Sequence, residues 1–135
     1  MLKNIQIKAF IILAGLLFNG SVFANNVEIV NVVLTKQTGT WRADVTLKHD
    51  DTGWEHYADA WRLVDAKGNE LAKRVLYHPH VNEQPFTRSI HSFQLPQGIK
   101  IITVEAHDKK HGWSPSKVTI NMKKTSGNKY KIQYR

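Results

Sequence analysis

The sequence contains no cysteine. That absence removes disulfides, thiolate metal sites, cysteine nucleophiles and a lipid carried on a cysteine. Helix-period patterns are nearly absent beyond the first 24 residues, and no second long apolar stretch follows the first one. Acidic residues are also few, 11 against 19 Lys and Arg, for a formal net charge of +8. With 135 residues the chain has room for one domain. A composition of 41% hydrophobic and 10% aromatic residues is too apolar for a disordered chain. What the sequence does have is histidine, seven in all.

Residues 1–24 look like a cleaved signal peptide. Lys3 and Lys8 form a positive start, and Ala9 to Phe18 is apolar apart from Gly15. Val22-Phe23-Ala24 then places small residues where signal peptidase needs them. The apolar core is too short to span about 30 Å of hydrocarbon, which takes roughly 20 residues. The expected compartment is the periplasm or the outside of the cell, and an integral membrane protein is not expected. The remaining chain divides into a domain, residues 25–122, and a basic tail, residues 123–135, expected to be flexible, with an added edge strand over the alternating Tyr130-Lys131-Ile132-Gln133-Tyr134 as the alternative. Five of its positive charges, Lys123, Lys124, Lys129, Lys131 and Arg135, lie in that tail. The body is close to neutral, so a nucleic-acid partner is not expected. The tail suits an envelope protein or an anionic polymer.

Period-two runs separated by Gly, Pro, Asn and Asp predict seven strands. They cover Val27 to Thr35, Trp41 to His49, His56 to Asp65, Glu70 to Tyr77, Phe86 to Leu95, Ile99 to Ala106 and Lys117 to Met122. The second alternates cleanly, with Trp41, Ala43, Val45, Leu47 and His49 on one face. The fourth also holds helix formers. Seven short strands predict an all-β, antiparallel sandwich of immunoglobulin-like or fibronectin-III-like type, with a small closed barrel as the competing fold.

Parity then gathers alternate loops at one pole. The loops after strands two, four and six carry His49, His56, His78, His80, His107 and His111, which leaves only His91 elsewhere. The other pole holds ordinary turns. Loops at one end of a rigid sandwich are where such folds place binding sites.

Several chemistries fit this pole. His78-Pro79-His80 projects two imidazoles to one side of an extended segment. With His107, His111 and the neighbouring His49 it offers nitrogen ligands for Zn²⁺ or Cu²⁺. The same rings would equally order loops by bonding to backbone carbonyls and to Asp50, Asp51 or Asp108. Trp54, His56, Glu83, Arg88, Asp108 and Trp113 are candidate ligand-binding residues, and the tryptophans would equally plug the end of the core. Arg88 is expected to pair with Glu83 or Asp59. Asp59 needs a partner if it is buried. Asp51-Thr52-Gly53 resembles an aspartic-protease triplet, but a single copy lacks the second carboxylate, and Asp-Thr-Gly is an ordinary turn. No G-x-S-x-G supports a serine nucleophile, and no catalytic residue is assigned.

Three runs carry a resemblance. They are Asp51 to Trp61 (DTGWEHYADAW), Leu76 to Ser89 (LYHPHVNEQPFTRS) and His111-Gly112-Trp113. The stretch from Trp41 to Trp113 resembles a family of small uncharacterised bacterial periplasmic proteins. The resemblance implies a secreted β-rich domain and no particular activity. The expected function is an exported immunoglobulin-like binding module with a His- and Trp-lined pole that holds a transition metal. The alternatives are a metal-assisted hydrolase, with Glu83 or Asp108 as base, and an adaptor with structural histidines.

Overall fold

The computed structural model describes residues 26–135, and residues 1–24, expected to be a signal peptide, lie outside them. Nine strands follow in order: β1 Glu28–Lys36, β2 Trp41–Lys48, β3 Ala58–Val64, β4 Glu70–Val75, β5 Phe86–Phe93, β6 Ile101–Asp108, β7 Gly112–Asn121, β8 Ser126–Gly127 and β9 Tyr130–Tyr134. The described residues contain no helix, so the Glu70 run is a strand despite its helix formers. Its pairing with β3 decides the matter, because a six-residue segment gains little from helix propensity alone.

The strands form two sheets, with orders β5-β2-β1-β9-β8 and β4-β3-β6-β7. Their inner faces supply the core. β2 contributes Ala43, Val45 and Leu47, β3 contributes Trp61 and Leu63, and β6 contributes Ile102, Val104 and Ala106, all buried. Period-two alternation is what lets each strand give one face to this core. With no disulfide, packing of these side chains holds the layers together.

The strand count is nine, not the seven expected from the sequence. The difference lies in residues 123–135, expected as a flexible tail. There β9 runs parallel to β1, pairing Val32 with Tyr130 and Leu34 with Ile132. Tyr130 and Ile132 are buried in the core, and the Tyr130 hydroxyl donates to the Asn121 carbonyl at 3.3 Å. The physical reason is the alternation in Tyr130-Lys131-Ile132, which sends the Tyr130 ring and the branched Ile132 side chain inward and the lysine outward. Burial of that apolar area outweighs the repulsion of exposed, solvated lysines.

Two irregularities interrupt the ladders near the histidine pole. A register shift between Ala58 and Ala60 gives β3 one residue more than β6, and Asp59 is the extra residue. A second shift, between Glu105 and His107, bulges β7 around Pro115, where a residue without an N–H fits an edge strand.

The turn before β9 allows a sharp test. A methyl group on Gly127 would run into the Tyr130 ring. Gly127→Ala should therefore displace Tyr130 and lower the melting temperature. Ile132→Ala should cost about 2 to 5 kcal/mol in urea unfolding, as for other large-to-small core changes. If both variants unfold like the parent, β9 does not belong to the core.

Candidate functional site

The loops between β2 and β3, β4 and β5, and β6 and β7 meet at one end of the sandwich. Three bonds show this. The His80 N–H donates to Asp51 Oδ2 at 2.8 Å, Lys109 Nζ donates to the Trp54 carbonyl at 2.9 Å, and the His49 N–H donates to Gln84 Oε1 at 3.0 Å.

At the centre lies a buried cluster. His49 continues the inward stripe of β2 and is 3% exposed. Asp108 continues the inward stripe of Ile102, Val104 and Ala106 on β6 and is fully buried. His56, from the β2–β3 loop, closes the group. The His56 Nε2 lies 3.5 Å from Asp108 Oδ1, and His49 Nε2 lies 4.0 Å from Asp108 Oδ2. The His49 and His56 rings meet edge to face, with centroids 4.8 Å apart. One ligand atom from each of His49, His56 and Asp108 falls within a 4.8 Å span. Among the described residues, this is the one set of three His or carboxylate groups so disposed.

Two carboxylates fix the cluster. Asp51 Oδ1 accepts from His49 Nδ1 at 2.6 Å and from the Ala58 N–H at 2.9 Å. Burial pushes the Asp51 carboxyl up, but the His49 ring and the amides of His80 and Ala58 outweigh it and hold the group below the usual carboxylate range. An ionised Asp51 requires the proton on His49 Nδ1. In a neutral ring the lone pair is then on Nε2, the nitrogen turned towards Asp108. Asp108 Oδ1 accepts from the N–H groups of Lys110 at 2.9 Å and His111 at 2.6 Å, which folds the β6–β7 turn. His56 stays neutral more readily than a free imidazole. Burial lowers its pKa first, and the neighbouring His49 ring adds to this against the pull of Asp108. Among the described residues its buried Nε2 has no hydrogen-bond partner.

The other expected residues fall around this centre in separate groups. His111 stands at the solvent edge, its Nδ1 3.2 Å from Asp108 Oδ1 and its ring 4.9 Å from that of His56. His78 and His80 lie together with centroids 4.7 Å apart, His78 exposed and His80 buried. His80 stacks on Phe86 and takes an N–H from Arg88 at 2.7 Å through Nε2. Burial lowers the His80 pKa, and the nearby Arg88 charge lowers it further. Arg88 also lies 3.8 Å from Glu83. His107 points outward and bonds through Nδ1 to Asp59 Oδ1 at 2.5 Å. Its ring abuts Trp113, which in turn carries Arg62 on its face. Trp54 is 63% exposed and does not plug the core.

His78, His80, His107 and His111 therefore do not share a centre, whereas His49 shares one with His56 and Asp108. The signal for Asp108 is strand parity. Extending the sixth run by two residues turns Asp108 inward and His107 outward. Asp51 had no such signal, because its burial depends on a loop folding back.

No family model matches this chain, and no solved structure matches it. A protein of Halomicrobium mukohataei named "Putative lipoprotein" is 38% identical over 95 residues, which cover 67% of this chain. This chain covers 46% of that protein, about half its length. No helix among the described residues is long and apolar enough to cross a membrane.

The lowered imidazole pKa values set a pH dependence. For His56 and His80 the unfolded chain takes up a proton more readily than the folded chain. Stability is then full above the ordinary 6.5 and falls as pH drops below it. Asp51 adds a separate loss below its ordinary 3.8. Melting temperatures from pH 7.5 to 4.5 should fall in the parent and fall less steeply in a His56→Gln, His80→Gln double variant. An unchanged slope in the double variant would assign the effect elsewhere.

Proposed function

We propose that this chain is an exported, immunoglobulin-like binding module that holds a transition metal ion, Zn²⁺ or Cu²⁺, at its histidine pole. His49, His56 and Asp108 are the primary ligands. His111 stands at the mouth, and His78 and His80 are neighbouring donors on the same rim. Trp54, Glu83, Arg88 and Trp113 are the side chains that a larger ligand would meet there, and His107 belongs to this outer set through its pair with Asp59.

The observation that carries the reading is the buried, hydrogen-bond-free Nε2 of His56 beside a buried carboxylate and a second imidazole. A tetrahedral ion with bonds of about 2.0 to 2.1 Å keeps its donors roughly 3.3 to 3.5 Å apart. The 3.5 Å from His56 Nε2 to Asp108 Oδ1 fits this spacing, while the 4.0 Å from His49 Nε2 runs to the other oxygen, Oδ2, so the 4.8 Å span of the three donors has to contract on binding. The bond from His49 Nδ1 to Asp51 is the kind of outer hydrogen bond that fixes a ligating imidazole's tautomer and raises its basicity. Without thiolates, nitrogen and oxygen donors favour Zn²⁺ or Cu²⁺.

The order β5-β2-β1 against β4-β3-β6-β7 supports an immunoglobulin-like sandwich of the fibronectin-III kind, with β9 and β8 added beside β1. The name of the Halomicrobium mukohataei relative supports export to the cell envelope, in the periplasm or beyond it.

A second reading is favoured by the bonds of Asp108 to the Lys110 and His111 amides. In it, the cluster orders three loops and takes no ion.

Titration calorimetry of residues 25–135 with each ion at neutral pH separates the two readings. Metal binding predicts heat for one equivalent. At a free ion concentration of 100 Kd it predicts about 2.7 kcal/mol of added stability, a melting shift of roughly 10 °C for a domain of this size. His56→Ala should abolish both effects, and His107→Ala should keep them. No heat with either ion, together with a lower melting temperature in Asp51→Asn and Asp108→Asn, would overturn the metal reading and leave the structural one.

A further inference from the structure

We propose that the opposite pole is a second binding site, for an anionic polysaccharide. A cleft of about 410 Å³ opens there between the β1–β2 turn, the β5–β6 loop and β9. Trp41 and Tyr134 form its two aromatic walls. Their rings meet edge to face, with centroids 6.3 Å apart and planes at 67°. Trp41 packs against the core, so its position is fixed from behind. Tyr134 is 61% exposed. Such a pair offers an apolar ring face to the C–H side of a pyranose while the polar edge stays wet.

The rest of the lining supplies what sugar hydroxyls need. Gln94 and Gln97 are exposed amides, each with donors and acceptors. Gly39 and Gly98 adopt positive φ, at 75° each, and with no Cβ there they let a ligand approach the backbone of both turns.

The charge is complementary to a polyanion. Among the described residues no carboxylate side chain lines the cleft, and Lys36 does. Its ammonium lies 5.8 Å from the Trp41 ring centroid. Lys100, Lys123 and Arg135 directly follow the lining residues Ile99, Met122 and Tyr134. The Met122 N–H donates to the Lys100 carbonyl at 2.9 Å, and the Arg135 N–H donates to the Lys36 carbonyl at 3.1 Å. These two bonds tie the backbone of Lys100 and Arg135 to the lining residues Met122 and Lys36. Of the C-terminal segment's charges, the fold of β9 thus brings Arg135 next to the aromatic walls, whereas Lys129 pairs with Glu28 at the other end of β1. Aromatic walls, amides and cations together describe uronate-type sugars better than either a neutral glycan or a bare polyanion.

The test uses three polymers with residues 25–135. Alginate has rings and carboxylates, dextran has rings only, and polyphosphate has charge only. Calorimetry should give binding to alginate that weakens with added salt, and at least tenfold weaker binding to dextran. Tyr134→Ala, at an exposed position, should weaken alginate binding by about tenfold or more and leave polyphosphate binding unchanged. Lys36→Ala should weaken alginate and lower its salt dependence. His56→Ala should leave alginate binding as it is. Alginate binding that is absent, insensitive to Tyr134→Ala, or matched by dextran would overturn the proposal. So would a loss of polyphosphate binding in Tyr134→Ala equal to the loss for alginate, because the cleft would then be a general polyanion or nucleic-acid platform.

Discussion

A carboxylate removed from water must be answered by donors, and the histidine pole is organised around that demand. Asp51 is buried, and its two oxygens collect one ring N–H from His49 and two amide N–H groups, from Ala58 and His80. These donors come from the end of β2, the start of β3 and the β4–β5 loop. One side chain thus joins three chain segments that share no sheet ladder at that point. Left unpaired, such a group costs several kcal/mol or abandons its charge. The loops therefore have little freedom to adopt another arrangement while the core is intact. His49, held by Asp51 on one nitrogen, is oriented on the other, and Asp108 and His56 are disposed about it.

The sandwich was largely legible in the sequence because alternation states both the strand and its inward face. The stripe of β2 from Ala43 to Leu47 led directly to His49 as an inward residue. The gathering of loops at one pole followed from parity alone. Three things were not legible. The bulge at Asp59 displaces β3 by one residue relative to β6, and no composition signal announces a bulge without Gly. The β9 segment is short and surrounded by lysines, so its two inward residues were outweighed by charge when read locally. The third was which histidines meet. That depended on whether the sixth strand ended at Ala106 or at Asp108, a two-residue boundary that decides which side chain enters the core and which leaves it.

The two poles differ in the physics of what they offer. At the histidine end, donors are few, buried and held by hydrogen bonds, which suits a small ion that repays desolvation with short, strong bonds. At the other end the groups are more exposed and spread over a cleft, which suits an extended ligand that gathers many weak contacts. The sandwich between them is a rigid spacer, and the inner-face packing that joins the sheets separates the two chemistries. A change at one end is therefore expected to act independently of the other, as distant sites with no shared partner usually do.

The parallel pairing of β1 with β9 has a consequence for how the chain reaches this state. Most neighbours in these sheets are antiparallel, and several are joined by short turns that can close early. The second side of β1 is instead filled by a segment from the far end of the described chain. Its closure must overcome the conformational entropy of everything between before the ladder or the buried Tyr130 and Ile132 repay it. Until then β1 presents an unpaired edge, the kind of surface on which chains associate with one another. The order in which the strands dock, and not their final strength, then governs how long a newly unfolded or newly made molecule remains prone to aggregation.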